Sequence, residues 1–432
     1  MLRDLLADSA TRGGDRTFFR HGGRTYSYAE AQDRALDLAQ RLHGRGIQPG
    51  ERLAIDLPNG PDLVFALLAG PMLGISFFLL NTRLTAPKKA ELLDGFEVSA
   101  TVDEEFLATL RSEAPVGFEP PDPASDDVFV RMFTSGTTGL PKAARLTYGA
   151  LEAAARASAE VLMTPESGCW QLTLPMFHVG GLQVMIRSLV NGSPFILYDR
   201  FDAAAVLADV ASGEATHVSV VDRTLRELIA CDRDMLARYE AVLLGGGPVN
   251  ERTLEDAAAA NVWASYGMTE TCGAVAVSAP GRYAEGLRPL PGCEVRIVGP
   301  AEDGCGEIAV SGPSVFSGYE PRRGEPASPA RSDGAWFLTG DEGRIVDGGL
   351  FVSERTCDVF ISGGENVYPA EIEREILAVG GVESAAVIGV EDPDWGRRPV
   401  AFAAGAGADR AAIVEHLERR LTSFQRPDAV FV

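Results

Sequence analysis

Residues Thr134-Ser135-Gly136-Thr137-Thr138-Gly139-Leu140-Pro141-Lys142 gather hydroxyls, unshielded glycine backbone and one ammonium within nine positions. A loop of this kind can wrap a polyphosphate, offering N–H groups, hydroxyl donors and a mobile cation. It departs from the Gly-x4-Gly-Lys-Ser/Thr pattern, because Leu140-Pro141 separates Gly139 from Lys142 and Ala143 follows. Of 39 basic residues, three are lysines: Lys88, Lys89 and Lys142. A lysine kept in the loop of so arginine-biased a chain points to a site that wants a compact ammonium rather than a planar fork.

Further groups with chemical potential lie downstream. Gly245-Gly246-Gly247 and Tyr266-Gly267-Met268-Thr269-Glu270 each end an apolar run. Glycine lets a ligand approach the backbone, an aromatic ring can stack on a base, and a carboxylate beside a hydroxyl suits a hard divalent cation. Thr339-Gly340-Asp341, Glu354-Arg355 and Ser362-Gly363-Gly364-Glu365-Asn366-Val367-Tyr368-Pro369 follow. Each also has a plain structural reading. Asp341 can be a turn carboxylate, Tyr266 a core aromatic and Gly363-Gly364 a hairpin turn. Phe177-His178 precedes a helical pattern, where the histidine is either a cap or a site residue. Arg187 falls among the apolar residues 184–189. A charge in such surroundings needs a partner, either a structural carboxylate or an anionic ligand.

These groups need elements to hold them. Ser27-x-x-Glu30 predicts a capping box opening a helix that runs to about His43. Strand-like runs fall at 52–57, 75–80, 128–133, 195–198, 217–221, 241–244 and 262–265. Helical patterns at 148–161, 182–190, 203–211 and 250–259 lie between most of them. Such alternation predicts an α/β fold with helices on the faces of its sheets, whose ligands bind beyond the strand ends. From 275 to 351 glycine and proline rise and helical periodicity fades, which predicts a small β-rich subdomain. After Arg355 the order strand, helix, strand, helix (358–362, 368–379, 382–390, 410–421) predicts a small α+β domain. The chain thus divides into 1–354 and 355–432.

Bulk properties exclude several classes. At 432 residues the chain has room for two cores. A net charge of −22 argues against nucleic acid or an anionic membrane as partner. It also opposes an anionic nucleotide, so Lys142, helix N-termini and a divalent cation become more necessary. The six cysteines show no zinc spacing and read as reduced thiols of a cytoplasmic protein. Met1 leads directly into a charged amphipathic stretch rather than a signal peptide. Residues 63–80 carry no charge, but Gly70-Pro71 and Gly74 interrupt them. They read as a buried helix followed by a buried strand, not a membrane span. Whether the chain forms a homo-oligomer is left open.

In their order, segments 134–142, 266–270, 339–341, 354–355 and 362–369 resemble the acyl-adenylate-forming superfamily, over nearly the whole chain. Segments 79–85, 177–182, 219–221, 243–248 and 266–271 are most similar to the o-succinylbenzoate–CoA ligases of menaquinone biosynthesis. The resemblance implies a large N-terminal ATP- and acyl-binding domain and a small mobile C-terminal domain. It implies that ATP, Mg²⁺ and coenzyme A convert a small-molecule carboxylic acid first to an acyl adenylate, then to a thioester. Thr134, Ser135, Gly136, Thr137, Thr138, Gly139 and Lys142 would hold the β- and γ-phosphates. Thr269 and Glu270 would take a phosphate oxygen and Mg²⁺. Tyr266 would stack on adenine beside Gly267, Met268 and the backbone of Gly245, Gly246 and Gly247. Asp341 and Arg355 would hold the ribose and phosphate region, and Gly363 and Gly364 would line the approach of coenzyme A. Phe177, His178 and Gly246 would face the acyl group. Arg187 is a candidate for a second carboxylate on the substrate, with a structural salt bridge as its rival.

Two other functions fit the same residues: adenylation with transfer to a carrier protein, and weak binding of an acyl adenylate without turnover. The sequence also departs from the superfamily. Its members usually carry a Gly-Lys segment beyond the equivalent of Arg426-Pro427, and none stands here before Val432. That difference implies slow adenylation by these 432 residues with acyl transfer retained. Glu354 replaces a usual glycine before Arg355, and Cys357 falls near the expected hinge.

Overall fold

The computed structural model describes residues 2–135, 141–247, 249, 251–326, 332–353 and 360–432. The fold is mixed α/β. One compact unit holds the chain up to Leu80, Phe96–Met132 and Ala143–Ser353; a second holds Asn81–Gly95, Phe133–Lys142 and the chain from Glu354 onward.

A nine-stranded sheet organises the first unit. Its order is Arg288–Pro289, Gly273–Ser278, Val262–Met268, Ala241–Leu244, His217–Val220, Trp170–Leu172, Phe195–Leu197, Thr17–His21 and Arg24–Ser27. The central strands run parallel and are wholly buried, which explains their short, continuous apolar runs. Strand alternation splits their side chains between two cores. Val242 and Leu244 join Val206, Val210, Leu225 and Leu228 from the helices Ala203–Ala211 and Asp222–Leu236. Ala241 and Leu243 face the opposite core with Leu182, Met185 and Ile186 of the helix Val179–Asn191.

The second sheet has the order Ala100–Val102, Arg52–Ile55, Ser76–Leu79, Val128–Ser135 and Pro141–Thr147, with the first four strands parallel. The uncharged stretch forms the helix Pro61–Leu73, buried from Leu63 to its end, then a strand. Among the described residues no helix is long and apolar enough to cross a membrane. Arg131 stands mid-strand in an otherwise apolar run. It survives burial because its guanidinium meets Glu320 and donates to Ser76 Oγ at 2.8 Å, while Arg52 approaches Glu320 at 3.1 Å.

The separate β-rich sheet begins at Glu294, later than the change in composition suggests. It contains Glu294–Val298, Gly306–Ser311, Trp336–Val346, Ser332–Asp333 and Gly349–Val352. Gly273–Ser278 instead folds back antiparallel on Val262–Met268 and completes the large sheet.

In the second unit, strands Phe360–Ser362, Glu365–Val367, Ser384–Asp392, Gly396–Ala404 and Ala429–Phe431 form one sheet. Ile372 and Ile376 of the helix Pro369–Leu377, and Ile413 and Leu417 of Arg410–Arg420, close its core.

Candidate active site

The strand exits of the nine-stranded sheet assemble most of the predicted residues of the first unit. Val262–Met268 outruns its parallel neighbour Ala241–Leu244, so Ser265 Oγ reaches back to the Leu244 carbonyl at 2.8 Å. Gly245 then donates to the Val220 carbonyl at 3.1 Å. Gly246 follows in the left-handed region at φ 82°. Gly267 is required by packing alone, since a Cβ there would lie 2.1 Å from the Gly273 carbonyl oxygen.

Tyr266 and Asp341, separately expected at adenine and ribose, touch each other. The Tyr266 hydroxyl donates to Asp341 Oδ2 at 2.9 Å, and Asp341 is 3% exposed. Thr339 places that carboxylate: its hydroxyl donates to the Ile308 carbonyl at 2.8 Å and accepts from the Asp341 N–H at 3.1 Å. A ring and an acceptor are thereby fixed as one unit before any ligand arrives.

Thr269 and Glu270 lie on the 3₁₀ turn Thr269–Thr271. The Phe316 N–H donates to the Glu270 carbonyl at 2.8 Å, and the Tyr319 hydroxyl donates to Glu270 Oε1 at 2.8 Å. Burial and this carboxylate together push the Tyr319 pKa up, so its proton stays on Tyr319. Gln183 Nε2, from the helix Val179–Asn191, donates to the Cys272 carbonyl at 2.7 Å and ties the turn to that helix. No group of three or more His, Cys, Asp or Glu able to cage a metal occurs among the described residues. One carboxylate beside one hydroxyl fits Mg²⁺, which keeps waters and takes its remaining ligands from phosphate.

The helix Val179–Asn191 begins at His178, whose side chain makes no capping bond and stands exposed 4.7 Å from the Phe177 ring. Asn59 shapes the approach. Its Nδ2 donates to the Leu174 carbonyl and its Oδ1 accepts from the Met176 N–H, both at 3.0 Å. Neither Asn59 nor Tyr319 carries a sequence signal beyond an Asn-Gly turn and an aromatic in a glycine-rich stretch.

Deeper along this helix Arg187 is 3% exposed. Its guanidinium lies 4.0 Å from the Trp170 ring centroid, and Nη2 donates to Ser219 Oγ at 3.1 Å. Nε has no hydrogen-bond partner, and no carboxylate pairs with this cation among the described residues. Burial pushes its pKa down to about 9, which leaves it charged at neutral pH.

His217 lies close by, fully buried, with Nδ1 2.7 Å from Thr216 Oγ1. Burial above all, with the Arg187 charge adding to it, pushes its pKa down to about 4 against the pull of the Leu162 carbonyl. The unfolded chain therefore binds this proton near pH 6.5 and the folded chain only near 4. Stability from neutral His217 is present above pH 6.5 and is lost as pH falls towards 4, by about 3 kcal/mol. Urea unfolding at pH 7.5 and 4.5 should show a smaller acid loss in His217→Gln than in the wild type.

The second unit holds the remaining predicted residues. Thr134 and Ser135 end the strand Val128–Ser135, and Lys142 lies on Pro141–Thr147. Gly363 and Gly364 form a two-residue turn at φ 62° and 85° between Phe360–Ser362 and Glu365–Val367. Gly136, Thr137, Thr138, Gly139, Glu354, Arg355 and Cys357 lie outside the described residues.

The family model of AMP-binding enzymes matches residues 6–320. This chain belongs to the AMP-binding enzyme family. The model of the AMP-binding enzyme C-terminal domain matches residues 371–432. The AMP-binding enzyme is 36% identical to 2-succinylbenzoate–CoA ligase of Bacillus velezensis, over 94% of this chain and 88% of that protein. It is also similar to o-succinylbenzoate CoA synthetase (MenE) of Bacillus subtilis. A double mutant bound to its product analogue OSB-NCoA gives 30% identity and a TM-score of 0.92, over 99% of this chain and 94% of that one. The complex with ATP and magnesium ion gives 30% identity and a TM-score of 0.76, over 99% and 95%.

Proposed function

We propose that this AMP-binding enzyme activates o-succinylbenzoate with ATP and joins it to coenzyme A, a step of menaquinone biosynthesis. The observation that carries the choice of acid is Arg187, a buried cation with no carboxylate of its own among the described residues. The ligase and synthetase relatives act on an acid with two carboxylates, one to be activated and one to spare. A cation held dry between Trp170 and Ser219 suits the spare one.

In the first half-reaction a carboxylate oxygen of the acid attacks the α-phosphorus of ATP, and pyrophosphate leaves. Two anions must meet, so charge neutralisation and alignment dominate. Lys142 and the hydroxyls of 134–138 bear on the leaving phosphates. Glu270 and Thr269 would hold Mg²⁺, which when bound would offset charge on the phosphates. Tyr266, with Gly245, Gly246 and Gly247, seats the base, while Asp341 accepts from the ribose. In the second half-reaction the coenzyme A sulfur attacks the acyl carbon and AMP leaves, with its thiol proton lost to solvent. Gly363 and Gly364 let the pantetheine arm pass, and Phe177 and His178 border the acyl group. The free thiols Cys169, Cys231, Cys272, Cys293 and Cys305 suit a cytoplasmic enzyme.

A panel of carboxylic acids with ATP and coenzyme A, read for AMP and thioester, tests the proposal. o-Succinylbenzoate should give both products, and benzoate or a fatty acid should give neither at a comparable rate. Preference for a monocarboxylate would overturn the assignment. Transfer to a carrier protein in place of free coenzyme A would favour the carrier-loading alternative.

A further inference from the structure

The segment Asn81–Gly95 continues the strand Ser76–Leu79 of the first unit, yet by contacts it belongs with the C-terminal chain. Three buried carboxylates of that chain are involved, two of them, Glu371 and Glu365, bonded directly to the segment. Glu371 accepts from Lys88 Nζ at 2.8 Å. Glu375 accepts from Arg420 Nε at 3.1 Å, and Arg420 and Arg374 both reach Glu91, at 2.9 and 2.8 Å. The third carboxylate, Glu365, is 4% exposed and follows directly on the Gly363-Gly364 turn. Arg83 donates to its Oε1, and Asn81 Nδ2 donates to its Oε2 at 3.4 Å. Asn81 also accepts from the Arg83 N–H at 2.9 Å, a local turn that presents both donors together.

We propose that Asn81, Arg83 and Glu365 form a positioning clamp that fixes the Gly363-Gly364 hairpin for thioester formation. The inference rests on the reading above that this turn guides coenzyme A. A Gly-Gly turn restrains itself weakly, because both residues reach positive φ without steric cost. Its first strand is tied at one end, where Gly363 donates to the Trp395 carbonyl at 2.9 Å and Ser362 pairs with Gly396. The second strand opens at Glu365, and both oxygens of that carboxylate are held by the five-residue stretch Asn81–Thr85. None of the residues assigned above to the nucleotide or the acyl group lies in this stretch. Adenylation consumes ATP and acid alone, so the clamp acts on the second half-reaction.

Arg83→Ala and Glu365→Gln in the full chain test it, with each half-reaction measured separately. Thioester formation from supplied o-succinylbenzoyl adenylate and coenzyme A should slow about 10–100-fold, the loss of one charge-assisted hydrogen bond. ATP–pyrophosphate exchange should stay within about twofold. The double variant should be no slower than the worse single one, because both remove the same contact. Arg83→Lys, which keeps the charge with one donor head, should fall between. Equal loss in both half-reactions would make the contact merely structural and overturn the clamp, as would thioester formation at the wild-type rate. If Glu365→Gln fails to fold, Arg83→Ala and Arg83→Lys at the half-exposed partner decide by the same split. Failure of the wild type to consume the adenylate with coenzyme A would instead overturn the underlying reading.

Discussion

Glu270→Gln should slow ATP–pyrophosphate exchange about 10²–10³-fold, the usual effect of deleting one preorganised electrostatic group. The substitution keeps the shape of the side chain. Its carbonyl oxygen can still accept from Tyr319, and the backbone bond from Phe316 to residue 270 is untouched. What disappears is the negative charge that, on the proposed function, would let the 3₁₀ turn hold a hard cation beside Thr269. In a chain of net charge −22, a triphosphate meets an opposing field, and the cation does much to offset it. The deficit should shrink as Mg²⁺ is raised, because binding is weakened rather than the protein unfolded. Transfer from supplied acyl adenylate involves no pyrophosphate and should lose far less. Exchange within threefold of the wild type at low Mg²⁺ would remove Glu270 from the site.

The parallel strands were legible because burial on both faces leaves little choice of residue. Ala241–Leu244 and Ala203–Ala211 match their apolar patterns end to end. The helix Val179–Asn191 starts three residues before its pattern at Leu182. Gly180 and Gly181 conceal its first turn, since glycine is a poor helix former. Gly181 is needed there: a Cβ would lie 2.2 Å from the Pro175 carbonyl oxygen. The capping box was half right. Ser27 Oγ accepts from the Glu30 N–H at 3.1 Å, but the Glu30 carboxylate meets Arg24 and Arg34. Motif residues announce chemistry and stay silent about what orients them. Asp341 is visible in Thr339-Gly340-Asp341, but its bond to Tyr266 joins residues 75 positions apart. Tyr319 and Asn59 act through tertiary contact alone, as do Arg83 and Glu365. Arg131, in an otherwise apolar run, is intelligible only once Glu320 is beside it.

Arg187→Met should make the free enzyme more stable and its reaction with o-succinylbenzoate far slower. Both effects have one origin. A guanidinium out of water with a ring, one hydroxyl and an unsatisfied Nε is under-compensated. Its depressed pKa expresses the same cost: below about pH 9 the folded chain carries a charge that the unfolded chain solvates better. Met fills similar volume without charge, and replacing buried ionic groups by packed apolar ones commonly gains about 1–4 kcal/mol. Thermal melting without ligand should therefore rise. With the cation gone, a bound second carboxylate would be buried unpaired, and kcat/KM should fall about 10²–10³-fold. A monocarboxylate analogue lacking the spare carboxylate should lose little, so the variant narrows the preference between the two acids. Arg187→Lys separates charge from geometry: it should keep the cation, lose the planar stack on Trp170 and recover part of the rate. A structural salt-bridge role predicts the reverse for Arg187→Met, lower stability with both acids affected alike. Higher stability together with lost activity on the dicarboxylate would be the trade of stability for function expected at binding sites.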